Sequence, residues 1–370
     1  MVAANAAFVA SALGPLHKPR KVLETDHSHY IAMARAPFGG DEAARTPPFC
    51  YRVLTPLLVF ALTRAGLGAN AAFWLVTNVS LVGFLFCLHR LLLLRGFGPG
   101  VAALGLLLAG LVPGAVRWYE YQYWMTDPLC LFLITAALVL AEQGRERELA
   151  GVSLLGVAAR ESFLLVFPWL LARGAWRGGL RGAVAFTARV ALPALALFTA
   201  IHVLVPASAA PPLGAVMADA VGFRFRHLLD NQLYLATLGS FGVLVPLVLA
   251  SPARAAAALR ERPEDAVLLA GAYASLLLGT NTERLLAYAL PSLLPIALRC
   301  FEAIQDAARL PFAVAGGAVL LAQAAFYAWT PFHGIEGLSL YQPVSFAVVG
   351  VMAAVWLAAV LLVATRRPPC

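Results

Sequence analysis

Charge is the scarcest commodity in this chain. Only 12% of its 370 residues are Asp, Glu, Lys or Arg, against 61% apolar ones, and mean hydropathy is +0.80. A soluble domain of this length covers its surface with far more charge, so lipid is the expected solvent for most of the chain. Cysteine is also sparse. Cys50, Cys87, Cys130, Cys300 and Cys370 are isolated, none in a C-x-x-C pair, and most sit in or beside apolar runs where a thiol packs as a small hydrophobe. That spacing speaks against a disulfide framework or a structural zinc site. No loop holds a dense Lys/Arg block or interleaved aromatics, so the net charge of +8 reads as basic cytoplasmic loops rather than nucleic-acid affinity. Internal repeats, low-complexity tracts and polar stretches long enough for a soluble domain are all missing, which leaves one transmembrane domain over 1–370.

What the chain does have is near-continuous apolar runs. Backbone groups in hydrocarbon must be satisfied internally, by helices or a closed barrel, and the absence of period-two alternation selects helices. The clearest runs are 70–90, 99–116, 127–142, 183–206, 233–250, 264–281, 286–302, 311–329 and 343–365. With weaker candidates, they predict an all-α polytopic bundle of about 10–12 spans across ~30 Å of hydrocarbon. Residues 1–16 are apolar, with Lys18, Arg20 and Lys21 after them and no basic residue before, the reverse of a secretory signal; a short first helix is expected. Loops with Arg95, with Arg145 and Arg147, with Arg254, Arg260 and Arg262, and the tail with Arg366 and Arg367 belong on the cytoplasmic side. External loops are then 17–50, 117–126, 207–232, 281–285 and 330–342, although Arg224 and Arg226 run against the bias.

Segment 150–172 differs from the rest. Both flanks are basic, with Arg145 and Arg147 before it and Arg173, Arg177 and Arg181 after it, and Arg160-Glu161 lies at its centre. A re-entrant or broken helix pair puts both flanks on one side and lifts the charged pair to membrane depth, where broken backbone is tolerated if buried or facing a wet cavity. The alternative is a single span with an internal salt bridge.

The remaining polar residues collect on the external side. Asp26 in the first loop suits a general base for an attacking hydroxyl, or is a solvated loop acid. His27 and His29 alternate with it, so a divalent metal held by all three needs a turn there. The second loop carries Trp118, Tyr119, Tyr121, Tyr123 and Trp124 around Glu120 and Gln122, which suits a lipid-interface belt or a platform for a carbohydrate or headgroup. It ends in Thr126-Asp127-Pro128, where Asp127 either caps a helix or faces substrate. Arg160-Glu161 and Glu283-Arg284 are ionisable pairs in or near the membrane, which default to function unless each Arg merely neutralises its neighbour. Arg also suits a phosphate, because its planar fork makes two parallel contacts. Pro47-Pro48 breaks the chain ahead of a short helix near Pro56, with Arg52 expected near headgroups.

Taken in order, these residues resemble the GT-C superfamily of integral membrane glycosyltransferases, in particular the bacterial aminoarabinose-transferase and protein-mannosyltransferase branch. The likeness rests on Asp26 followed by Tyr30, Ala34 and Arg35; on the basic, Pro-rich stretch Pro47 to Pro56; on an aromatic loop leading into Asp127; and on a broken pair with Arg160 at its tip. It covers residues 20–172 by motif and the remainder by hydropathy. The resemblance implies a multi-pass protein of the bacterial inner membrane that moves a sugar from a polyprenyl-phosphate carrier to a lipid, glycan or protein on the external face. It implies Asp26 as catalytic base and Arg160, with Arg284, as holders of the carrier phosphate. Tyr30, Arg52, Asp127, Glu161 and Glu283 complete the expected substrate-binding set. A transporter or flippase for a lipid-linked or anionic substrate is the main rival, and a membrane scaffold comes third. The polar groups gather at one face without a repeat, which favours the enzyme.

Overall fold

The computed structural model describes residues 24–40, 42–112, 115–116, 119, 122–208, 214–215, 217–219, 221–222, 237, 239–278 and 282–329. Among them every regular element is helical, and no strand occurs. The expected helix in 1–16, the span 343–365, loop 330–342 and most of loop 207–232 lie outside the described residues.

The segment expected as the first external loop begins with a helix, α1 (Glu24–Arg35), followed by single 3-10 turns at Ala43–Arg45 and Phe49–Tyr51. Next come α2 (Leu54–Arg64), α3 (Ala69–Leu94) and α4 (Pro99–Gly110), then α5 (Asp127–Gln143) and α6 (Glu146–Ala159). After a break, α7 (Val166–Gly178) leads into α8 (Leu180–Leu204). The last stretch holds α9 (Leu244–Ala250), α10 (Pro252–Glu261), α11 (Pro263–Ala274), α12 (Thr282–Leu286), α13 (Leu290–Ala308) and α14 (Phe312–Trp329). Proline opens α4, α5, α10 and α11, where its missing N–H costs nothing. Gly144, at φ 70°, closes α5 and allows α6 to turn back beside it.

Among the described residues, three stretches are long and apolar enough to cross a membrane: α3, α8, and the run Arg284–Ala308 through α12 and α13. Their outward faces are apolar too. Val79, Val82 and Phe86 line one side of α3, and Leu192, Val203 and Leu204 stand exposed on α8, as on helices that meet lipid. Inside, α3 lies along α5, and α8 lies along both α6 and α7.

The 150–172 region is a broken pair. Arg160 is extended (φ −170°, ψ 149°) between α6 and a 3-10 turn at Glu161–Leu165. The two helices splay apart against α8 rather than packing on each other. With 14 and 13 residues, each covers roughly 20 Å at 1.5 Å per residue, close to the reach of α5, so Arg160 stands near the level of Asp127. The apex is tight: a Cβ on Gly156 would lie 2.1 Å from the Phe163 ring. Gly156→Ala is therefore expected to cost about 1–3 kcal/mol through overpacking, readable as a lower thermal midpoint.

Both ends of the bundle are charged. At the end where α3, α5, α7 and α11 meet, Arg95 donates to both oxygens of Asp265 at 2.8 and 2.9 Å. Glu142 sits there among Arg262 at 2.5 Å, Arg173 at 3.1 Å and Arg177 at 3.3 Å. Arg95, Arg173, Arg177 and Arg262 come from segments whose basic residues were expected on the cytoplasmic side. Arg95 is buried in this cluster rather than solvated in a loop.

Candidate functional site

The second charged end lies about one helix length away, roughly 22 Å along α5 from Glu142 to Asp127 at 1.5 Å per residue. Asp127 is the first residue of α5 and is wholly buried. It caps nothing. Its Oδ2 accepts from Arg160 Nη1 at 2.6 Å, and its Oδ1 accepts from the Tyr288 hydroxyl at 2.9 Å. Arg284 Nε lies 3.5 Å from the same Oδ1. One carboxylate thus holds two guanidinium groups that reach it from the α6 break and from α12.

Each arginine extends the chain outward. Arg284 Nη1 donates to Asp26 Oδ2 at 2.8 Å and lies 3.3 Å from the Met125 sulfur. On the other side Arg160 Nε stands 3.8 Å from Glu161 and donates to the Ser162 hydroxyl at 3.3 Å. Glu161 is gripped by Arg52, whose Nε donates at 2.9 Å while Nη2 meets the other carboxylate oxygen. Arg52 Nη1 then donates to the Tyr30 hydroxyl at 2.7 Å. Tyr30 lies four residues after Asp26 on α1, the same helix face. The circuit Asp26, Arg284, Asp127, Arg160, Glu161, Arg52, Tyr30 therefore closes through one turn of α1.

Local structure explains the convergence. The His29 imidazole, through Nδ1, bonds to the Ala43 carbonyl at 2.7 Å and stacks on Phe49 at 4.5 Å, which clamps α1 over the 3-10 turns. Phe49–Tyr51 swings Arg52 inward beneath Tyr30. The extended backbone of Arg160 frees its side chain from the helix axis, while its N–H still reaches the Gly156 carbonyl at 3.0 Å. Tyr288 follows Arg284 by four residues, so the two share a face.

The ring is graded from sealed to open. Arg52, Asp127, Arg160 and Arg284 are buried. The Asp26 and Glu161 side chains remain 23% and 39% exposed and mark the mouth. Around them lie buried polar atoms without a hydrogen bond: His27 Nε2, Arg284 Nε, the Thr126 hydroxyl and both ends of the Gln122 amide. Burial, with the Arg35 charge adding to it, pulls the His27 imidazole from 6.5 down to about 4, so it is neutral at physiological pH.

Several expectations change here. Arg160 does not simply neutralise the acid beside it: Arg160 pairs first with Asp127 and Glu161 with Arg52, while Arg284 reaches Asp26 and Asp127. The reason is directional, since neighbouring residues on a turn point apart. Arg52 lies in the ring, not among headgroups. Tyr119, Tyr123 and Trp124 are buried rather than arrayed as an interface belt. Among the described residues no group of three His, Cys, Asp or Glu is placed to hold a metal, and His27 turns its edge to Trp124 at 4.7 Å while His29 faces Phe49. The Glu283 side chain, with Trp118, Glu120, Tyr121, Arg224 and Arg226, lies outside the described part.

No protein family, curated protein or solved structure matches the chain. The chemistry must come from the ring itself. Tyr288, Ser162 and Met125 are members that sequence reasoning missed; for Tyr288 the available signal was its four-residue spacing from Arg284. The arrangement offers two partly exposed carboxylates, of which Glu161 is gripped at both oxygens by Arg52 and Asp26 is held at one by Arg284, beside three arginines able to hold an anion.

Proposed function

We propose that this protein is a polytopic membrane glycosyltransferase, acting from the external face of a bacterial inner membrane on a sugar carried by a polyprenyl phosphate. The single observation that carries the reading is the shared ring of charges, in which Asp26 and Arg160 connect through Arg284 and Asp127. In this reaction Asp26 takes the proton of an acceptor hydroxyl as its oxygen bonds to the anomeric carbon. The bond from that carbon to the carrier phosphate breaks with its electron pair staying on the phosphate oxygen. Arg160, Arg284 and Arg52 hold that growing negative charge in a site sheltered from water, where fixed donors act most strongly. Tyr30 and Glu161 orient the substrates at the mouth. A carrier with a long apolar tail reaches such a pocket from the bilayer, which accounts for a charged site at the end of a helical bundle.

The second buried cluster, around Glu142 and Asp265, favours one alternative. Charged knots at both ends of an apolar bundle also suit the two gates of a transporter for a lipid-linked anion. Cysteine labelling at positions 26 and 161 separates the readings. Access from one face under all conditions supports the enzyme, and access that switches with substrate supports transport. Mass spectrometry of lipid co-purified with the wild-type protein is expected to find polyprenyl phosphate or its glycoside.

A further inference from the structure

The ring is electrically balanced without any ligand. Arg52, Arg160 and Arg284 face Asp26, Asp127 and Glu161, three charges against three. An entering phosphate adds negative charge, so one internal carboxylate must yield its place. The three acids are held very differently. Asp127 is sealed and has Arg160, Tyr288 and Arg284 around it. Glu161 is gripped at both oxygens by Arg52, with Arg160 close by. Asp26 has one ring contact, to Arg284 Nη1, on a short helix at the mouth. Arg284, by contrast, stays anchored without Asp26, because Asp127 and the Met125 sulfur hold it from behind. Its Nε faces the sealed Asp127 Oδ1 at 3.5 Å, which leaves Nη1 as the group turned to the mouth.

We infer that Asp26 occupies, in the resting site, the position on Arg284 that a substrate phosphate takes, so that phosphate binding is what releases Asp26 to act as a base. This rests on the transferase reading above and adds an order to it: the phosphate-bearing donor binds first and the acceptor second. A phosphate brings more negative charge and more acceptor oxygens to the guanidinium than a carboxylate held through one oxygen. Until it arrives, Arg284 Nη1 holds the Asp26 carboxylate in place. No base is then presented to water or to a stray hydroxyl before the donor is in place.

The test uses binding alone. Full-length protein in phosphatidylcholine nanodiscs is titrated with geranyl monophosphate, with geraniol as the uncharged control and no sugar present. Asp26→Asn and Asp26→Ala remove the internal competitor and are expected to bind geranyl monophosphate on the order of tenfold more tightly than wild type, the scale of one charged hydrogen bond. Arg284→Met should bind more weakly, and adding Asp26→Asn to it should bring no gain. In the wild-type protein, carbodiimide modification of Asp26, mapped by mass spectrometry, should rise when geranyl monophosphate is present. Equal or weaker binding by both Asp26 variants, or modification that does not rise, overturns the inference. Tighter binding by variants of a protein that transfers no sugar would keep the masking and sink the transferase reading. Sugar transfer without any gain in affinity would do the reverse.

Discussion

Asp26→Asn is expected to slow sugar transfer by about a hundredfold to ten-thousandfold, the usual contribution of a positioned general base. That corresponds to roughly 2.7–5.5 kcal/mol of barrier. The fold should hardly notice. Asp26 has one ring partner, lies on a short helix at the mouth and is partly exposed, so its loss leaves Arg284 still paired with Asp127. Initial rates in proteoliposomes, normalised to folded protein, check this. A variant that keeps a rate within a few-fold of wild type removes Asp26 from the chemistry. Because the same change is expected to tighten phosphate binding, kcat should fall while the apparent affinity for donor rises, a split that general damage to the site does not produce.

Asp127→Leu should act on the opposite quantity. Asp127 is sealed beneath Arg160, Arg284 and Tyr288. Removing its charge leaves the Arg160 guanidinium buried without its principal counter-ion, a change that costs about 3–5 kcal/mol when one partner of a buried pair is lost. The variant is expected to unfold at markedly lower temperature or to fail to accumulate. Adding Arg160→Met removes the orphaned charge as well and should restore most of the stability while transfer stays lost. Thermal unfolding of the two variants beside wild type decides the matter. Wild-type stability in Asp127→Leu would mean that the ring is not what holds α5, α6 and α12 together at this end.

Much of the scaffold was legible in the residues. Sparse charge and unbroken apolar runs pointed to helices, and Asp127-Pro128 marked the start of α5. The basic flanks of 150–172 suggested a broken helix pair, and the α6 to α7 break has Arg160 at the turn. The candidate ring residues were nearly all named as well, because ionisable groups are costly in such a chain and so stand out. Their pairing was not legible. Glu161 follows Arg160 in sequence, yet its partner is Arg52, more than a hundred residues away. Which guanidinium meets which carboxylate depends on how α1, α5, α6 and α12 are brought together, and no local pattern encodes that. Arg52 shows the same limit: an elbow after Pro47-Pro48 can turn a side chain outward to headgroups or inward, and Tyr30 and Glu161 drew it inward. At the other end, charge bias marked Arg95 and Arg262 as loop residues. Their buried partners Glu142 and Asp265 lie at helix ends, where an acid reads as ordinary solvated termination.

The most direct measurement follows a doubly labelled polyprenyl-phosphate sugar in vesicles that hold the purified protein, with cell-envelope extract supplied on one face as acceptor. Wild type is expected to part the two labels, one carrier phosphate freed for each sugar joined to acceptor, and Asp26→Asn is expected to leave them joined. Labels that cross the bilayer together, still linked, would contradict the account and make the protein a carrier of its substrate.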